Sequence, residues 1–211
     1  SRYYSPSGRC IQALDYWNRD ENGDPVRVDS KKYNSFKTKG GRTVYDGGGI
    51  MPDIELESGK FSTITTALLK NQVIFNYATQ YYYSNKLESP EEFVFADASF
   101  KEFLIFIKEN KFEYETESEK LFSKAMRKTS EENFKDNIDL SYKQLMADIN
   151  KAKEEMLVAK KEEIVTLLCD EILKRYFYRE GMYKYHLNHS PEIIEAVSVL
   201  KNESRYQKIL K

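Results

Sequence analysis

Two rhythms of apolar and polar residues divide this chain. Up to about residue 60, short apolar runs are broken by turn residues. Tyr3-Tyr4 leads into Ser5-Pro6-Ser7-Gly8, and Arg9-Cys10-Ile11-Gln12-Ala13-Leu14 resumes as strand. Asn22-Gly23, between Tyr16-Trp17 and Val26-Arg27-Val28, predicts a type I′ hairpin. Gly40-Gly41 breaks the chain before Arg42-Thr43-Val44-Tyr45, and Gly47-Gly48-Gly49 precedes Ile50-Met51-Pro52-Asp53-Ile54.

From about Phe61 the period becomes helical. Leu69, Val73, Tyr77 and Tyr81 recur every four residues and predict one helix of about twenty residues. Ser99-Phe100-Lys101-Glu102 reads as a capping box ahead of Phe103 and Ile107. Thr116-Glu117-Ser118-Glu119 reads as a second, ahead of Leu121, Phe122 and Ala125. Ile138, Tyr142, Leu145 and Ile149 mark another helix. Ile164, Leu168 and Ile172 mark a long one that Gly181 is placed to close. Ser190-Pro191 starts the next, with Ile193, Ile194, Val197 and Leu200 on its apolar face. The expected fold class is therefore α+β: a strand-rich segment over residues 1–60, then a mainly α-helical domain of about six helices over 61–211. No repeat at a fixed period appears.

Composition refines this reading without naming a ligand. Lys+Arg 33 against Asp+Glu 34 gives a net charge of -1, which argues against nucleic acid as a partner, since duplex binding needs a basic face. No apolar run approaches the roughly 18 residues of a membrane span, and no signal peptide opens the sequence. Ser1 stands before Arg2-Tyr3-Tyr4 without an initiator Met, so the chain is expected to begin inside a longer protein. Cys10 sits in a strand-like stretch and Cys169 on a buried helical stripe, which favours two free thiols over a disulfide.

Five candidate sites weigh less than their bland readings. Asn18 to Asp29 has calcium-loop spacing with Gly23 at the sixth position. But Asn18 opens it, Pro25 interrupts it, and Asp29 replaces the long bidentate Glu, so a polar hairpin turn is preferred. His186 and His189, with Glu192, suggest a zinc set, yet Gly181 and Ser190-Pro191 bracket them in an expected inter-helix connection. Ser198-Val199-Leu200-Lys201 has the Ser-x-x-Lys spacing of a nucleophile and its base, but late in a helix, where the dipole opposes a developing anion. The Lys151–Lys161 run with Glu154-Glu155 reads as a solvated face. The aromatic helix with Phe75, Tyr77, Tyr81, Tyr82 and Tyr83 reads first as core. No cofactor or metal is expected.

Two motifs carry the reading further. Arg2-Tyr3-Tyr4-Ser5-Pro6-Ser7-Gly8-Arg9-Cys10-Ile11-Gln12 and Gly49-Ile50-Met51-Pro52-Asp53-Ile54, in that order, resemble the end of the protease core in carboxyl-terminal processing (tail-specific) serine peptidases. Ser5 stands where that family usually has threonine. The resemblance spans about the first 57 residues, and the helical remainder is similar to the C-terminal extension of some branches by order and pattern. It implies a parent endopeptidase with a Ser/Lys dyad and a PDZ domain upstream of the first motif. That enzyme would cut proteins near their C-termini, in the cell envelope or periplasm. The matching residues Tyr4, Pro6, Ser7, Gly8, Arg9, Gly49, Pro52 and Asp53 take structural roles, with Asp53 expected to accept from neighbouring backbone N–H groups. No catalytic residue carries over, so the chain alone is expected to be inactive. Its substrates would be proteins or peptides held by the upstream core. Strands cut from a larger sheet have unpaired edges, so self-association or disorder is expected in residues 1–60. The competing reading is a stand-alone helical interaction module.

Overall fold

The computed structural model describes residues 2–56, 60–132 and 135–211. Two compact units compose it: Ser1–Glu57 together with Ser190–Lys211, and Ser58–His189. The expected changeover near residue 60 borders residues 57–59, which lie outside the described residues.

The first unit carries β1 (Leu14–Arg19) paired antiparallel with β2 (Pro25–Arg27), and β3 (Ser35–Lys37) paired with β4 (Thr43–Tyr45). An isolated antiparallel bridge joins Tyr4 and Cys10. All three reversals use one turn chemistry. In Ser5-Pro6-Ser7-Gly8, the Gly8 N–H donates to Ser5 O (2.9 Å) and the Ser5 N–H to Arg9 O (2.8 Å). Asp20–Gly23 and Thr38–Gly41 repeat both bonds, and the fourth residue of each turn has φ of +83°, +84° or +88°. That is a type I turn closed by a left-handed glycine, which lets the flanking strands keep their twist. The expected type I′ turn at Asn22-Gly23 is corrected, because Gly23 is left-handed and Asn22 is not. The Asp20 carboxylate holds the turn instead, accepting from the Asn22 and Asp24 N–H groups at 2.9 Å each. The same unit holds α7 (Pro191–Lys201) and α8 (Glu203–Leu210). Ser190 caps α7 as predicted, with proline in the first turn. The predicted apolar face of α7 is not buried: Ile194, Val197 and Leu200 are all exposed.

The second unit contains α1 (Thr63–Lys70), α2 (Val73–Ser84), α3 (Asp97–Glu109), α4 (Glu117–Glu131), α5 (Lys135–Ala159) and α6 (Lys161–His189). Eight helices are thus present among the described residues, against about six expected. One cause is a break in the expected twenty-residue helix. Asn71 ends α1, its N–H and Nδ2 both donating to Ala67 O, and Gln72 turns left-handed (φ 57°) before α2 begins. The break resets the phase, so Ile64 and Leu68 of α1 and Val73, Ile74 and Tyr77 of α2 are all buried while Leu69 is exposed. The capping box at Ser99 is also corrected. α3 starts at Asp97 after Ala96, which offers no side-chain cap, and Phe100, Phe103, Phe106 and Ile107 share one buried face. The box at Thr116 is present, but Leu121, Phe122 and Ala125 behind it are exposed.

One core cluster gathers Ile64, Leu68, Ile74, Tyr77, Phe103, Ile164 and Leu168 from α1, α2, α3 and α6. A second gathers Ala78, Phe93, Cys169, Ile172 and Leu173. The predicted Ile164, Leu168 and Ile172 stripe is fully buried. Each such side chain contributes on the order of 1.5–3 kcal/mol by leaving water. Tyr77 is ringed by Phe95, Phe103 and Phe106 at centroid distances of 6.4, 5.0 and 5.4 Å, edge to face. Its hydroxyl donates to Ser99 O at 3.0 Å, so the buried polar tip is satisfied.

Gly181 does not close a helix. α6 runs to His189, with non-helical angles at Tyr178 (φ 57°, ψ −159°). His186 and His189 therefore lie on helix, not in a connection.

Candidate functional site

The helical unit holds a groove of about 1220 Å³. Ile64, Ile107 and Leu157 give it apolar lining, Phe112 and Tyr114 form an aromatic wall, and Glu119 and Lys153 stand in it as a charged pair. Phe112 and Tyr114 stack, their centroids 5.8 Å apart.

The pair grows out of the capping box. Thr116 Oγ1 accepts from the Glu119 N–H (3.2 Å), and Glu119 Oε2 accepts from the Thr116 N–H (2.7 Å), which fixes the carboxylate at the start of α4. Lys153, from α5, donates to Glu119 Oε1 (2.9 Å) and Oε2 (3.2 Å) and to Tyr114 O (2.5 Å). Its ammonium also lies 4.4 Å from the Tyr114 ring centroid. Burial works to raise the Glu119 pKa, but the Thr116 N–H and Lys153 outweigh it and hold the carboxyl below its ordinary value. Lys153 was expected on a solvated face; α5 instead turns it inward, while Lys151 and Glu155 remain an exposed i,i+4 pair. Glu119 was legible as a cap, but nothing in the spacing of the chain tied it to a lysine 34 residues on.

This arrangement does not make a nucleophile. A Ser/Lys dyad needs a lysine amine against a hydroxyl in a water-excluded site. Lys153 meets a carboxylate and a carbonyl. Among the described residues, a lysine does meet a hydroxyl at Lys37 Nζ and Thr43 Oγ1 (2.6 Å), on the exposed surface of the β3–β4 hairpin. Ser198 and Lys201 fall in the last turn of α7, as expected from sequence.

The motif residues sit in the first unit. Tyr4 bridges to Cys10, and Pro6, Ser7 and Gly8 make the first turn, where Ser5 Oγ and Ser7 Oγ share a hydrogen bond (2.9 Å). Arg9 follows directly, with its Nε buried and without a partner. Gly49 is buried and left-handed (φ +80°), and a Cβ there would lie 3.2 Å from Ala13 Cβ. After Pro52, Asp53 ion-pairs with Arg42, in place of the backbone N–H groups expected of it.

The remaining candidates separate. In the Asn18–Asp29 loop, Asp20 is used by its own turn, and Asn18 Nδ2 donates to Asp15 ahead of the loop. His186 Nε2 meets Asp170 Oδ1 at 2.6 Å, while His189 Nδ1–H donates to Tyr185 O and the ring stacks on Tyr185. Among the described residues, no three His, Cys, Asp or Glu side chains are placed to hold a metal ion. Both cysteines are free, Cys169 buried and Cys10 half-buried. The aromatic helix is mixed: Tyr77 is core, Tyr83 is 82 % exposed, and Phe75 lies under the Arg175 guanidinium at 4.4 Å. No helix among the described residues is long and apolar enough to cross a membrane.

Residues 64–200 match the family described as "Probable PDZ-protease, C-terminal helical domain". The match covers more than half of the chain and falls on its helical part, where the likeness had rested on order and pattern instead of motifs. No curated protein and no solved structure matches the chain.

Proposed function

We propose a function from one premise: the chain belongs to the family of C-terminal helical domains of probable PDZ-proteases. Its work is to support or regulate a serine endopeptidase core that processes proteins near their C-termini. The Ser/Lys dyad and the PDZ domain of that enzyme lie upstream of Ser1, in the cell envelope or periplasm. By itself the chain turns over no peptide. The observation that carries this is the match over residues 64–200, next to Arg2–Gln12 and Gly49–Ile54, which resemble the end of such a core.

The test has two arms. The purified chain, incubated with an unstructured peptide and with an organofluorophosphonate probe, should show neither cleavage nor a labelled serine. Labelling that disappears in Ser198→Ala would overturn the accessory role. In the second arm, the reading frame upstream of Ser1 is translated. A nucleophile segment of Gly-Ser-Ala type with a lysine after it supports the peptidase, whereas an independent start codon supports a stand-alone interaction module.

The strand segment bears on partners. Isolated two-stranded hairpins are marginal in water, and among the described residues neither hairpin pairs with a further strand. In the parent protein those edges add to the core sheet; in the isolated chain they pair with a second copy. Amide exchange across residues 1–60 that slows with protein concentration supports this, and full protection in a monomer contradicts it.

A further inference from the structure

The kink in α6 is a complete reversal. On a straight helix, residues sixteen apart are separated by about 24 Å. Here Tyr185 Oη lies 3.6 Å from Cys169 Sγ, and His186 Nε2 lies 2.6 Å from Asp170 Oδ1, each pair sixteen apart. Residues 179–189 therefore fold back as a short arm along residues 161–177. Met182 and Tyr185 of the arm pack on the cluster of Ala78, Phe93, Cys169, Ile172 and Leu173.

The reversal is accomplished at one residue and is strained. Tyr178 has φ 57° and ψ −159°, a region that glycine tolerates and a tyrosine does not. Its side chain is 80 % exposed, so packing around the ring does not compensate. Gly181 is constrained by space. A Cβ at that position would come within 2.1 Å of Phe177 Cβ, although side chains four apart on a helix normally stand about 5–6 Å apart. The sequence from Lys161 to His189 contains no proline and one glycine, so a straight 29-residue helix is open to it.

We propose that residues 179–189 exchange between two copies of this chain. When Tyr178 relaxes to helical angles, α6 straightens and each arm lies in the other copy's groove beside Cys169 and Asp170. The contacts made within one chain are then remade between two, and both hinges lose their strain. A short, strained hinge is the setting in which such exchange is favoured.

The test uses the full 211-residue chain and four hinges, compared by light scattering across a concentration series. Tyr178→Gly and a three-residue Gly-Asn-Gly insertion after Tyr178 make the reversal comfortable and should favour monomer. Gly181→Ala puts a methyl group into Phe177 and strengthens the straight helix, and should favour dimer. Strain of the size expected at one such residue corresponds to roughly tenfold per hinge, hence about a hundredfold in the dimer association constant. A dimer formed through strand edges or any other surface would respond equally to all four. Identical mass distributions in wild type, Tyr178→Gly and the lengthened hinge therefore overturn the proposal. If Gly181→Ala fails to fold, those three still decide.

Discussion

Replacing Lys153 with Met tests whether the groove's charged pair holds the helical unit together. The change keeps the length of the side chain and removes its charge, leaving Glu119 as a buried carboxylate with the Thr116 N–H as partner. Both side chains are well covered, at 18 % and 7 % exposure, so this is not a surface pair worth a few tenths of a kcal/mol. Removing one member of a buried pair costs about 3–5 kcal/mol, and the surviving Thr116 bond argues for the lower end, about 3 kcal/mol. Glu119→Gln in the same chain keeps an acceptor for the cap and removes the stranded charge. The double variant should then recover most of the loss, ending about 1 kcal/mol below wild type. Urea unfolding followed by far-ultraviolet circular dichroism at pH 7 measures all four corners of the cycle. The pH dependence adds a second reading. Glu119 titrates below its ordinary 4.5 in the folded chain, so its stabilisation is present above that pH and is lost as pH falls through the folded value. In Lys153→Met that acid-dependent loss should flatten. A single-variant cost below about 1 kcal/mol, or singles that sum to the double, would refute the clasp.

Two other perturbations probe the local structure. Gln72→Gly should stabilise the chain by about 0.5–1 kcal/mol, because glycine accepts the left-handed angle between α1 and α2. A loss of about 1 kcal/mol on denaturant melting would instead indicate the continuous helix first expected. Burial pushes the Cys169 thiol up to about 11, so at pH 8 about one part in a thousand is thiolate. A chromogenic disulfide reagent should therefore find one fast thiol per native chain, Cys10, and a second only on unfolding. Two fast thiols would contradict the burial of Cys169.

The division of the chain into a strand-rich segment and helices was legible because glycine spacing and a four-residue apolar period are local signals. Ile164, Leu168 and Ile172 were legible for the same reason: one period runs through them unbroken. The break at Asn71-Gln72 was not, since Leu69, Val73, Tyr77 and Tyr81 keep their spacing across it. The decision between one helix and two was made by where the core lies, and a rotation at Gln72 buries Ile64 and Ile74 together. The start of α3 failed likewise. Ser99 and Glu102 have capping-box chemistry, but the helix already runs from Asp97, so both lie inside it. The Glu119–Lys153 and Asp170–His186 contacts lay beyond sequence reading, because each depends on a reversal between its members. The fold at Tyr178 carries no turn signature at its own position.

What the helical unit contributes follows from how its buried charges are used. Glu163, at the start of α6, accepts from the Ser62 N–H and Oγ at 2.7 and 3.0 Å and so fastens the start of α1 from 101 residues away. Arg175 of α6 donates to Phe75 O and Thr79 Oγ1 of α2 while pairing with Glu171. Lys153 and Glu119 tie α5 to α4 and to the preceding loop. Glu163, Arg175, Lys153 and Glu119 thus each join segments that the chain separates widely. Against these satisfied contacts, stored strain stands out. It sits at Tyr178, where the backbone holds an angle that no neighbouring side chain requires, next to an arm that a straight helix would release. Opposite responses of Tyr178→Gly and Gly181→Ala in the mass distribution are the signature of that hinge.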